Sequence, residues 1–396
     1  MAKGEPAFPA SLQPAFAAPR WVTLEELRRR RSYKWLRYPP DVLPTFVAEM
    51  DVTLAEPVTR ALIDAIAAGD AGYAYPEPAL FEAAAAFHRT RFGWEFAPEA
   101  VTMIGDVMSG VVDVIQQALV PGSGVIVNPP VYPPFFSHIA EAGVRVVEAP
   151  LARSGAGYVL DLDAVEAAFA AGARAYLLCN PHNPTGLVLS PVELRGVAEL
   201  AERFHALVLA DEIHAPLTLR GAHHTPYLSL PEGRLHGVAF VSATKAWNLP
   251  GLRCAQLVTA SPPMRELAGR IPEDHMYRAG NLGVVASAAA YRDGTPWLDQ
   301  LILMLEANRL LLARLLAERL PQVVYAPQPA TYLAWLDCAG LGLAEDPAAV
   351  FLRRGRVALR PGPDFGSGGA GWVRMTMATA PEILTEMVER MRSAIG

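Results

Sequence analysis

Residues 175–186 read Ala175-Tyr176-Leu177-Leu178-Cys179-Asn180-Pro181-His182-Asn183-Pro184-Thr185-Gly186, an apolar run that stops at a polar, proline-rich loop. The run has the length of a buried strand, and two Asn-Pro steps closed by a glycine fit a rigid turn rather than a continuing element. Next comes Ser190-Pro191-Val192-Glu193. Here the serine can cap a helix, proline suits its first position, and the glutamate can reach back to the serine N–H. That signal predicts a helix to about His205. A second apolar run at 207–210 then ends in Asp211-Glu212-Ile213-His214. Strand, loop, helix and strand in this order make one unit of a sheet with covering helices.

The alternation extends in both directions. Short apolar runs at 101–104, 125–127, 144–147, 175–178, 207–210, 238–241 and 255–258 are separated by helical patterns. They predict an α/β fold with a mainly parallel seven-stranded sheet between helices. A turn signal at 294–296 precedes a long amphipathic stretch, 297–320, after which the pattern becomes α+β. The expected division is a large domain, 47–290, and a smaller α+β domain, 291–396, which the N-terminal segment 1–46 joins. The four arginines at 28–31 read as a solvated helix face.

With 396 residues, 52% hydrophobic and 19% charged, the chain can bury a large core and is neither disordered nor fibrous. No uninterrupted run of 18 apolar residues is present, so no membrane-spanning helix is expected. The first twenty residues lack the basic start and apolar core of a signal peptide, and a cytoplasmic protein is the expectation. Three widely spaced cysteines, Cys179, Cys254 and Cys338, form no disulfide framework and read as small buried residues. Thirty-four basic against 40 acidic side chains, net −6, argue against a nucleic-acid partner. A small molecule is the expected ligand.

The basic residues are unevenly chosen: 31 are arginine, and Lys3, Lys34 and Lys245 are the only lysines. A lone mid-chain lysine suits chemistry that needs an amine able to lose its proton and attack a carbonyl, which guanidinium cannot do. On rarity alone, an ordinary surface lysine fits equally well.

Several motifs can be set aside. Gly366-Ser367-Gly368-Gly369-Ala370-Gly371 matches GxGxxG, but the residues after it read as a strand where the dinucleotide fingerprint needs a helix. Ser242-Ala243-Thr244-Lys245 matches the SxxK of serine acylases, yet no lysine follows to complete their second motif. The nine histidines, including His182, His223 and His224, show no metal-binding spacing. What remains are polar residues at the carboxyl ends of the expected strands, where open α/β sheets bind ligands. After the first strand, Gly105-Asp106-Val107-Met108-Ser109-Gly110 opens a helix whose free N–H groups could hold a phosphate. The Asn180–Gly186 loop, Asp211 to His214, and Ser242 to Lys245 with Arg253 eight residues on follow the later strands.

In order and spacing, Asn183-Pro184-Thr185-Gly186, Asp211-Glu212-Ile213, Ser242-x-x-Lys245 with Arg253, and Arg374 resemble the class I/II aminotransferases of the pyridoxal-phosphate-dependent superfamily, over roughly residues 40–390. The resemblance implies the fold type I architecture and pyridoxal 5'-phosphate as cofactor. Lys245 would hold the cofactor through its amine and move the substrate Cα proton. Asp211 would pair with the ring nitrogen and Asn183 with the phenolate oxygen, while Tyr132 would stack on the ring and His214 lie beside it. Ser242, Arg253 and the backbone of Val107 and Met108 would hold the phosphate. Arg374, with Asn183, would bind the substrate carboxylate. Further implied is a homodimer with shared sites, Tyr73 of one subunit reaching the other's phosphate.

Within that superfamily the chain looks similar to the carbon–sulfur β-lyase branch, which includes bacterial cystathionine β-lyases. His214 stands where most aminotransferases of this class carry tyrosine, and Thr45-Phe46-Val47-Ala48-Glu49-Met50-Asp51 with Pro57 resembles the branch's WVADMDF segment. Tyr332 to Asp337 and Phe365-Gly366 also fit, whereas Glu49, Val52 and Thr376 differ from the pattern. The implied reaction is removal of a thiol from an S-substituted cysteine such as cystathionine, giving pyruvate and ammonia. An aminotransferase and a non-catalytic ligand-sensing protein on the same fold are the alternatives.

Overall fold

A computed structural model of the chain describes residues 18–396. Lys3 and most of the N-terminal stretch read for a signal peptide lie outside the described residues. All seven expected runs are strands of one sheet: β1 (Val101–Ile104), β2 (Gly124–Val127), β3 (Arg145–Glu148), β4 (Ala173–Cys179), β5 (Leu207–Asp211), β6 (Gly237–Val241) and β7 (Ala255–Thr259). Their spatial order is β1-β7-β6-β5-β4-β2-β3. All neighbours are parallel except the pairs that β7 makes with β1 and β6, which are antiparallel.

The two-residue period of a strand sends alternate side chains to opposite faces, and both faces are covered. Tyr176 and Leu178 pack on one side with Val208, Leu194 and Val197. Leu177 packs on the other with Leu209, Phe240, Val111 and Ile115. Helix α1 (Val107–Ala118) begins where Asp106 accepts from the Ser109 N–H at 2.9 Å and Ser109 Oγ accepts from the Asp106 N–H at 3.0 Å. Helix α2 (Pro191–Arg203) starts on the expected box of Ser190 and Glu193. It stops short of His205, whose left-handed backbone (φ 51°) cannot continue a helix.

Helices α3 (Asn281–Asp293) and α4 (Thr295–Arg319) meet at Gly294, where a Cβ would collide with the Ala290 carbonyl and the Trp247 indole. Beyond them, β8 (Leu333–Asp337), β9 (Arg360–Pro361) and β10 (Trp372–Thr376) form an antiparallel sheet with β10 in the middle. Helix α5 (Pro381–Ile395) follows. Val22, Leu27 and Leu43 join the same apolar cluster as Leu312, Val373 and Met387, and Leu43–Pro44 pairs in parallel with Val357–Ala358. The glycine-rich stretch before β10 is a turn, with Gly366, Gly368 and Gly371 at φ of 90°, 80° and 79°.

The arginines at 28–31 are exposed as expected at Arg28, Arg29 and Arg31, but they follow a helix and are not part of one. The helix there is a single turn, Leu24–Leu27, and Arg30 folds back to donate to the carbonyls of Met50 and Val52 at 3.2 and 2.9 Å. Among the described residues no helix is long and apolar enough to cross a membrane. The three cysteines are free and buried.

Candidate active site

Strands β1, β4, β5 and β6 deliver the residues at their carboxyl ends to one cavity of about 310 Å³. Val107 and Met108 enter from the first turn of α1, Asn183 from the loop after β4, Asp211 and His214 from the end of β5, and Lys245 from the segment after β6. Tyr132 closes one side and also lines a second cavity of about 160 Å³, which shares Lys245 and reaches Arg374.

Lys245 sits on a one-turn helix, Ala243–Ala246, whose N-cap Ser242 accepts from the Thr244 N–H at 3.1 Å. Its Nζ donates to the Ala48 carbonyl at 3.2 Å. Burial lowers its pKa to about 8 and nearby Arg374 adds to the fall, with Asp211 and Glu49 opposing. A buried amine of this kind is a usable nucleophile and base near neutral pH. Asp211 is buried and accepts from the Ile213 N–H at 3.1 Å. Burial pushes its pKa up to about 7 against that hydrogen bond and the pull of Lys245. A carboxylate so placed favours a cationic partner, and a protonated ring nitrogen would supply one.

Arg374, near the middle of β10, donates from Nη1 to Asn183 Oδ1 at 3.2 Å and from Nη2 to the Phe46 carbonyl at 2.8 Å, leaving Nε without a partner. Burial lowers its pKa to about 10, so it stays cationic at neutral pH. His214 is buried with Nδ1 unpartnered and its ring edge toward Tyr332, centroids 6.2 Å apart. Burial first, then Lys245 and Arg374, lower its pKa to about 3, so the ring is neutral. Burial likewise raises the Tyr132 phenol above its ordinary value. Arg253 follows the turn Pro250–Leu252 in a left-handed conformation, φ 46°, and pairs with Asp106 at 3.0 Å.

Two expected residues stand apart. Ser242 Oγ is turned away from the cavity, donating to the Cys254 carbonyl at 2.7 Å and sharing a hydrogen bond with Thr244 Oγ1 at 2.8 Å, while Thr244 lines the wall. Tyr73 is 86% exposed against Tyr277, ring centroids 5.4 Å apart, and lines neither cavity. His182 and His224 are buried outside this cavity's lining. His182 braces its own loop through the Asn128 carbonyl and Thr185, at 3.2 and 3.0 Å. His224 is buried beside Glu212, and among the described residues no cluster could hold a metal.

Sequence reading missed Cys179, whose thiol accepts from the Asn183 N–H at 3.5 Å and is kept protonated by burial. It also missed the Ala48 carbonyl, which no side-chain pattern could have signalled. The unpartnered Nδ1 of His214 and Nε of Arg374, the uncompensated Asp211 and the helix start at Val107 together fit a flat, phosphorylated heteroaromatic cofactor bearing an aldehyde for Lys245.

The sequence profile of the family described as aminotransferase class I and II matches residues 48–391. A relative from Mycobacterium leprae is 46% identical, covering 94% of this chain and 97% of its own. The cystathionine beta-lyase of Corynebacterium glutamicum is 35% identical over 95% of this chain and 100% of its own. The crystal structure of a PLP-dependent protein from Corynebacterium diphtheriae superposes with a TM-score of 0.90 at 35% identity, covering 95% of this chain and 98% of that one.

Proposed function

The chain belongs to the aminotransferase class I and II family, and from that premise we propose that it is a pyridoxal-phosphate-dependent carbon–sulfur β-lyase acting on cystathionine or another S-substituted L-cysteine. The observation that carries the reading is the meeting of Lys245 and Asp211 in one cavity, with Arg374 in the adjoining cavity that shares Lys245 and Tyr132. The likeness to the Corynebacterium glutamicum lyase supports the reaction assigned to them.

Bound pyridoxal phosphate supplies an electron sink for the carbanion formed at the substrate Cα. Asp211 would pair with the ring nitrogen and keep it protonated. Arg374 would hold the α-carboxylate, and the Asn183 side-chain amide would hydrogen-bond the phenolate oxygen. Val107, Met108 and Arg253 would hold the phosphate, and Ser242 could join them only by giving up its hydrogen bond to the Cys254 carbonyl. Lys245 takes the Cα proton, the Cβ–S bond breaks with its electron pair leaving on sulfur, and a proton yields the thiol. Released 2-aminoacrylate adds water and gives pyruvate and ammonia. Neutral His214 would set an imidazole beside the cofactor ring, where the resemblance leads one to expect a phenol.

Two copies complete each other's sites, with Tyr73 of one reaching the phosphate of its partner; its exposure in the single chain is what such a role requires. In this reading 47–290 would be the cofactor domain and, of the described residues, 18–46 with 291–396 the smaller one. We place the enzyme in the cytoplasm, where three free, buried cysteines are at home.

The test is turnover of cystathionine without any keto acid. Release of pyruvate, ammonia and homocysteine over many cycles supports the lyase. Product that appears only when a keto acid is supplied makes the protein an aminotransferase.

A further inference from the structure

The smaller cavity contains a second guanidinium. Arg360 on β9 lies directly opposite Arg374 on β10 in the antiparallel register, so both side chains leave the same face of the sheet. Both line the 160 Å³ cavity, together with Lys245, Tyr33 and Phe46. Like charges facing each other across two strands are unfavourable by themselves. Arg374 is fixed on both sides by Asn183 and the Phe46 carbonyl. Arg360 is not so fixed: its partner is Asp364 at 2.7 Å, with the two side chains 39% and 38% exposed. An exposed pair of that kind exchanges readily for another anion.

An amino acid's α-carboxylate needs one fork, and Arg374 provides it. A second fork about 5 Å away along the sheet face matches a second carboxylate, carried by the sulfur substituent. We propose that Arg360 is a specificity-determining residue that reads a carboxylate on the leaving thiol, so that acidic S-substituted cysteines are favoured over neutral ones. The inference rests on the lyase reading. The reaction is otherwise unchanged: Cβ–S breaks, sulfur keeps the electron pair, and the acidic thiol departs from Arg360 after protonation, with no further reactant.

The experiment compares S-(2-carboxyethyl)-L-cysteine with its neutral isostere S-(2-carbamoylethyl)-L-cysteine, using the holoenzyme and pyruvate release as readout. The wild type is expected to favour the acid by about tenfold or more in kcat/KM, and Arg360→Gln to bring the ratio close to one. Asp364→Asn, which frees Arg360, is expected to raise the ratio, and it serves if the first variant does not fold. A wild-type ratio near one, or a ratio that Arg360→Gln leaves in place while both rates fall together, overturns the proposal. If neither compound nor cystathionine yields pyruvate, the lyase reading has failed. Titrating the cofactor's absorbance with the two compounds then still decides whether Arg360 selects the acid.

Discussion

The Nζ of Lys245 and the hydroxyl of Tyr332 share one acceptor, the carbonyl of Ala48, at 3.2 and 3.0 Å. The 46–50 segment is thereby tied to the Lys245 amine. Burial has already brought that amine to about 8, so its uncharged fraction grows as pH rises through that value. Capture of pyridoxal phosphate by apoprotein should therefore accelerate between pH 6.5 and 8.5 and level off above, followed by absorbance. Borohydride reduction of the holoenzyme should label Lys245. Label on Lys34, or on no lysine, is incompatible with the assignment. Lys245→Ala should lose about 10³-fold or more in turnover.

Asp211 and Lys245 give the apoprotein an unusual pH profile. The folded Asp211 titrates at about 7 instead of the ordinary 3.8. Between those values the folded state keeps a proton that the unfolded chain has lost, so stability falls as pH rises through the window. The shift corresponds to a contribution on the order of 4 kcal/mol. Lys245 acts the other way: its folded pKa of about 8 lies below the ordinary 10.5, so the unfolded chain holds the extra proton and stability rises with pH across that range. Thermal melts of apoprotein should show the wild type losing stability relative to Asp211→Asn as pH rises from about 4 to 7 and holding a constant deficit above that, since Lys245 is common to both and cancels. If the two melt in parallel at every pH, the carboxyl is not strained. With cofactor bound the same variant should lose about 10²-fold in turnover, because the ring nitrogen loses its partner.

Arg374→Lys keeps a charge but not a fork, and it leaves either Asn183 Oδ1 or the Phe46 carbonyl without its donor. Loss should fall on KM for the amino acid, with kcat/KM down about 10²-fold. Steady-state pyruvate release measures it, and an unchanged KM would move the carboxylate site elsewhere.

Much of the fold was legible because its signals are local. Seven apolar runs need only a period and a length, and the box at Ser190 and Glu193 needs four residues. Many of the cavity residues were legible for a related reason, since they follow strand ends, whereas Tyr132 and the roles of all of them came from the family resemblance. What escaped was non-local. Arg360 meets Arg374 only through the register of β9 on β10, which neither segment states by itself. Ala48 acts through its backbone. The run at 28–31 misled because charge spacing cannot show that Arg30 turns inward to satisfy two carbonyls.

Tyr73, exposed in a single chain, gives the assembly a direct test. Sedimentation at micromolar concentration should show a dimer. Mixing Lys245→Ala with Tyr73→Ala subunits should restore part of the activity each lacks, since a mixed pair contains one intact site. A fully active monomer would rule the shared site out.

The second described lysine is as telling as the first. Lys34 and Asp51 are fully buried and 2.7 Å apart, and Lys34 Nζ also donates to the Glu49 carbonyl at 3.1 Å. Trp35 Nε1 donates to the other Asp51 oxygen at 3.2 Å, and the Asp51 N–H bonds the Ala378 carbonyl at 2.8 Å. The pair thus anchors the end of the segment whose Phe46 and Ala48 carbonyls hold Arg374 and Lys245. Removing one partner strands the other charge away from water, which costs about 3–5 kcal/mol, whereas replacing both by apolar groups of similar size costs far less. Lys34→Met should therefore lower the melting temperature sharply and reduce kcat/KM together with it. Lys34→Met combined with Asp51→Leu should recover much of the stability. Recovery of stability without recovery of kcat/KM would show that the ion pair fixes the position of the 46–50 segment and not merely its folding. A single-variant cost below about 1 kcal/mol in denaturant melts, the level of an exposed pair, would show that the segment is held by its backbone bonds alone.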